Sequence, residues 1–163
     1  MKTIRHFALL APVPLEHLQS GQAVSTQEGF VAFGTKKWEL FRKLDALREG
    51  APVPALIYPS HEDVPVKENF VVSWFGWYVG HVDGILGQHP GGMKHRPPTT
   101  AKYADDNRGH WAAFWHVEAL RDLPKDKRVS IGKIGTIKDE WRKNAPPRGP
   151  ELVALPELLS YEK

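Results

Sequence analysis

An α+β domain, built as a small mixed or antiparallel β-barrel with two or three peripheral helices, is the fold class this sequence predicts. Three observations lead to it. Five or six short apolar runs, each bounded by glycine, proline or charged residues, read as strands. Two or three helical stretches stand between strands toward the ends of the chain, without the strict alternation of a doubly wound sheet. With 163 residues, 41% of them hydrophobic and 25% charged, the chain can bury one continuous core, so a single domain over 1–163 is expected.

The first strand is expected over 4–10, apolar nearly throughout. Pro14 suits the first position of a short helix whose apolar side carries Leu15 and Leu18, with Gly21 closing the turn. A second strand is read over 29–33. Thr35 is then a good N-cap for the strongest helix, over 36–49, which Gly50 stops. Trp38, Phe41, Leu44 and Leu47 recur at three-residue steps there, and Trp38 is read as core. Lys36 and Lys37 fall in the first turn of that helix, where the macrodipole disfavours positive charge and free N–H groups favour an anion.

A third strand is expected over 55–58, then a polar loop over 61–69. The run over 70–82 holds Trp74, Trp77 and Tyr78 with no clearly polar face, a long strand or a hairpin bulged about Gly76. Residues 83–106 form a loop rich in glycine and proline, of a length that marks functional or disordered segments. Strand character returns over 108–120 with Trp111 and Trp115, and again over 129–134. Thr136 is placed to cap a short helix through Lys143, with Asp139 at the reciprocal position. A proline-rich break over 145–150 and a packed tail over 152–159 complete the chain.

Composition narrows the function classes. Without cysteine there is no disulfide and no thiolate metal site, and a reducing cytoplasm is the expected location. Pro12, Pro14 and Glu16 interrupt the N-terminal apolar patch too early for a signal sequence, and no uninterrupted apolar run is long enough to span a membrane. A net charge of +3 permits contact with phosphates without demanding it. His81, His89 and His95 are spaced too widely for a zinc pair, so no metal or other cofactor is expected. No P-loop, nucleophile elbow, dinucleotide fingerprint or metalloprotease motif is present, and the loop carboxylates Glu62, Asp63, Asp83, Asp105 and Asp106 are not paired by spacing.

The order of pieces resembles a known superfamily. A first strand ending in FALL and a short helix lead into GFVAFGTKKWELFRKL, then the strands ALIYPS and YVGHVDG, then the loop and strand RPPTTAKYADDNRGHWAAFWHVEALRDLP. This looks like the PUA-like superfamily and, within it, the EVE and YTH branch, whose small barrel holds a flipped or modified base in an aromatic pocket. The resemblance implies that Phe33, Gly34 and Thr35, just before the main helix, line such a pocket. The chain has Phe33 where a cage tryptophan is typical of the YTH pattern.

A base pocket needs flat aromatic walls and one or two polar groups on the base edge. Trp74 and Trp77, flanking Gly76, are the preferred walls, with Tyr78 and Trp111 beside them. Thr35, Ser73 or His81 would read the base edge, and Lys36, Lys37, Lys94, Arg96 and Lys102 would hold flanking phosphates. The expected partner is therefore nucleic acid, DNA or RNA. Two other functions stay open: an amidohydrolase of the related ASCH type, with Thr35 and Lys36 matching part of its lysine, threonine and glutamate set, and a protein-interaction domain whose aromatic patch meets a partner chain.

Overall fold

The computed structural model describes residues 7–60, 71–131, 134 and 149–154. Residues 4–6, Glu62, Asp63, Phe70, Lys133, the helix expected from Thr136 and the tail beyond Ala154 lie outside them.

The chain is α+β. Its main sheet has six strands in the order β2-β6-β5-β3-β1-β8: β1 (Phe7–Val13), β2 (Val31–Thr35), β3 (Val53–Pro59), β5 (Trp74–Asp83), β6 (Ala113–Asp122) and β8 (Glu151–Ala154). A second ribbon pairs β4 (Val71–Val72) with β7 (Val129–Ser130). All neighbours in the main sheet are antiparallel except β1 and β3, which run parallel with Leu9 opposite Ala55. Helices α1 (Leu15–Glu28) and α2 (Trp38–Arg48) lie in the crossover between β1 and β3.

Among the described residues the sheet ends at β2 and β8 and does not close into the expected barrel. The strand sequences explain why. A barrel has one interior, but β1, β3 and β5 are apolar at successive positions, so both faces need cover. Leu9, Ala55, Ile57, Trp74, Tyr78 and Trp115 pack under the helices. Leu10, Leu56, Phe75 and Trp77 pack on the other face with Leu123, Val129 and Ile131.

The first helix is longer than expected. Gly21 does not close it, because His17, Leu18, Gly21, Val24 and Ser25 recur at helical spacing on one buried face. A Cβ at Gly21 would stand 3.2 Å from Val31 Cγ2, so glycine permits the close approach of α1 to β2. The second helix starts two residues later than expected. Thr35 does not cap it. Instead Thr35 Oγ1 accepts the Lys37 N–H at 3.0 Å, which holds Lys36 and Lys37 in a turn ahead of the helix.

Trp38 is not core. It is 37% exposed, and the Arg42 guanidinium lies 4.7 Å from its ring centroid. Three-residue steps drift around a helix of about 3.6 residues per turn, so Trp38 and Leu47 fall about half a turn apart in angle. Only Phe41 and Leu44, midway along, are buried on the sheet. Asp45 anchors the same helix, accepting from Arg48 Nε at 2.7 Å and from the Tyr78 hydroxyl at 2.9 Å, and lying 2.5 Å from His81 Nδ1. Burial alone would raise its carboxyl pKa, but these partners lower it below the ordinary value. No described helix is long and apolar enough to cross a membrane.

Candidate functional site

A cavity of about 390 Å³ opens where the ends of β1 and β2 meet the start of α1. β1 and β2 are separated in the sheet by β3, β5 and β6, yet both line it, so the sheet curls strongly without closing. Pro12, Val13 and Pro14 supply an apolar base. Phe33 on β2 and Trp115 on β6 are cross-strand partners with ring centroids 5.0 Å apart, and both line the cavity.

Trp111 forms the opposing wall from outside the sheet, in the turn before β6. Its indole lies on Gly34, where an added Cβ would come 2.4 Å from the ring. Any side chain at position 34 would displace that wall. Nε1–H of Trp111 donates to Asp106 Oδ1 at 2.8 Å. The same oxygen takes Arg96 Nη2 at 2.6 Å, and Asp106 Oδ2 stands 3.5 Å from His17 Nε2.

Arg96, 2% exposed, also donates to the Ala32 carbonyl, to Asn107 Oδ1 and to the Asp106 carbonyl. These bonds fix the long loop to β2 and through Asp106 fix the indole. Burial alone would raise the Asp106 carboxyl, but the hydrogen bonds from His17 and Trp111 and the Arg96 charge hold it below the usual carboxylate range. Asp106 is the one carboxylate among the described lining residues, and its role is anchoring.

Thr35 is the neutral polar group on the β2 wall. Its oxygen accepts the Lys37 N–H, and among the described residues its own proton meets no acceptor, which leaves one donor for a ligand. Lys36 and Lys37 border the cavity, and Lys37 Nζ also donates to the Pro150 carbonyl at 3.3 Å.

Of the residues singled out from sequence, Phe33, Gly34, Thr35, Lys36, Lys37, Arg96 and Trp111 line this cavity. Arg96 does so as a buried anchor, with its donors engaged inside the fold rather than held out for a phosphate. The others lie elsewhere. Trp74 and Trp77, each 6% exposed, sit in the two cores on opposite faces of the sheet. Tyr78 and His81 face α2 and share Asp45.

Ser73 marks the break between β4 and β5, its N–H bonded to Ile57 and its carbonyl to Leu123. Lys94 is exposed, 3.8 Å from Glu28. Lys102 pairs with Glu16 at 3.0 Å in a neighbouring open hollow. The sequence gives His17 no site role, and marks Trp115 only as one of several aromatic residues and Asp106 only as one of five unpaired loop carboxylates. The Phe33 to Trp115 register exists only once β2 and β6 pair, and nothing local in the sequence marks it.

Among the described residues no cluster of three or more histidine, cysteine or acidic side chains is placed to hold a metal ion. No family model, curated protein or solved structure matches this chain.

Proposed function

We propose that this protein binds nucleic acid by taking one base, with modified bases included in the class, into the cavity between Phe33, Trp111 and Trp115. The cavity's composition carries the proposal: Trp111 as an aromatic wall beside the buried rings of Phe33 and Trp115, the Thr35 hydroxyl, whose proton meets no acceptor among the described residues, and two lysines at the rim. Stacking on such walls contributes about 1–3 kcal/mol per base, a single hydroxyl reads one acceptor on the base edge, and lysines at the rim attract the flanking phosphates. The resemblance to the EVE and YTH branch of the PUA-like superfamily, where the residues before the main helix line a base pocket, supports the same assignment. In this reading Trp111, outside the sheet, is the wall that the core tryptophans of β5 do not supply.

The test is a salt titration of binding to single-stranded oligonucleotides carrying unmodified and modified bases. Affinity should fall as salt rises, and Trp111→Ala should weaken binding at least tenfold with the melting temperature little changed. Absence of binding at low salt for every base tried would reject the proposal.

A further inference from the structure

A second, shallower groove of about 670 Å³ adjoins the cavity and shares Lys36 and Trp111 with it. Trp38 and Leu86 also line this groove. Both are out of place by ordinary packing rules. Trp38 keeps 37% of its surface exposed at the start of α2. Leu86 is 89% exposed and adopts a φ of 54°, a left-handed conformation that asparagine or glycine would hold with less strain.

Backbone hydrogen bonds hold the Leu86 turn. Ile85 and Gln88 exchange both backbone hydrogen bonds across it, and Gly109 N–H donates to the Leu86 carbonyl at 2.7 Å. Gly87 touches the Gly109 backbone so closely that an added Cβ would stand 2.0 Å from the Gly109 nitrogen. Two tight turns are thus welded back to back, with an apolar side chain held at the tip. Strain without compensating burial inside the fold points to a ligand.

Resting on the base-capture reading above, we propose that this groove is the subsite for the nucleotide next to the captured one, with its base lying on Trp38 and against Leu86. The groove borders the first cavity at Lys36 and Trp111, so a single ligand can reach from one into the other. Its described lining carries the Lys36 cation and no carboxylate, and Arg42 adds positive charge over the indole, which suits a phosphodiester. Lys36, common to both pockets, stands where the phosphate linking the two nucleotides would pass.

Calorimetric titration with nucleoside 5′-monophosphates and with dinucleotides tests this. The dinucleotide should bind the unaltered protein about tenfold more tightly, the size of one stacked base. Trp38→Ala and Leu86→Asn should each remove most of that gain and leave mononucleotide affinity within about twofold. Asparagine tolerates the backbone at position 86, so the turn is retained. Equal affinity for both ligands, or a gain that survives both substitutions, would overturn the subsite while leaving base capture standing. Failure of the unaltered protein to bind either ligand would overturn both. A concentration-dependent mass in sedimentation that Leu86→Asn abolishes would give the groove to a second copy of the chain, and would also overturn the subsite.

Discussion

The indole of Trp111 lies against Gly34 so closely that a Cβ there would stand 2.4 Å from the ring, and no other neighbour limits that position as tightly. Gly34→Ala should therefore act on the cavity through Trp111. The wall must swing out, at a cost of about 1–3 kcal/mol of stability by overpacking. Oligonucleotide affinity should fall at least tenfold, and urea denaturation beside a binding titration separates the two effects.

Arg96 and Asp106 should be strongly coupled. Asp106→Asn removes the charge that faces a buried guanidinium and should cost about 3–5 kcal/mol. Replacing both, as Arg96→Met with Asp106→Leu, should recover part of that loss. The recovery appears as non-additivity in a double-mutant cycle read from denaturant midpoints.

Asp45→Ala should destabilise the fold with little effect on the site. The substitution leaves Tyr78, His81 and Arg48 without their shared acceptor, at a cost of about 2 kcal/mol. Because this anchor lies away from the cavity lining, base affinity per folded molecule should stay within about twofold.

Stability should fall with acid in two windows. Gly91 N–H donates to His89 Nδ1 at 2.9 Å, so the His89 proton sits on Nε2 and points to His116 Nε2 at 3.0 Å. Burial first, and then neighbouring positive groups, pushes both imidazoles down to about 4. The unfolded chain then binds more protons than the folded one below the ordinary histidine value of about 6.5, so stability drops as pH falls from there toward about 4, by up to about 3 kcal/mol for each ring.

Asp45 and Asp106 have lowered values, and their contribution is lost only at still lower pH. Thermal melts of His116→Phe, which cannot take up a proton, should show a flatter upper window. Equal slopes in both proteins would contradict this account.

Strand positions were legible in the sequence wherever apolar runs met glycine or proline, and so was the cluster Phe33-Gly34-Thr35 at the end of β2. Trp74 and Trp77, the expected walls, do not share a pocket, and the strand period itself separates them. An odd separation in a strand sends two side chains to opposite faces, and here they enter different cores. Trp38 departs from its expected core position because three-residue spacing drifts around the helix and makes no stripe. What the sequence could not carry is long-range: Trp115 opposite Phe33, and Asp106 bridging Arg96 to Trp111, depend on pairings that form only when distant segments meet.

The position of β8 has a consequence for how the protein is made. Its antiparallel partner is β1, where Leu9 pairs with Leu152, so on the ribosome the first strand waits for about 140 more residues before its outer edge is satisfied. Gly149 and Pro150, which lead into β8, also line the cavity. The nascent chain thus completes this cavity only once residues 149 and 150 have been made, and an emerging chain stalled before them would expose the β1 edge and leave the cavity open on that side.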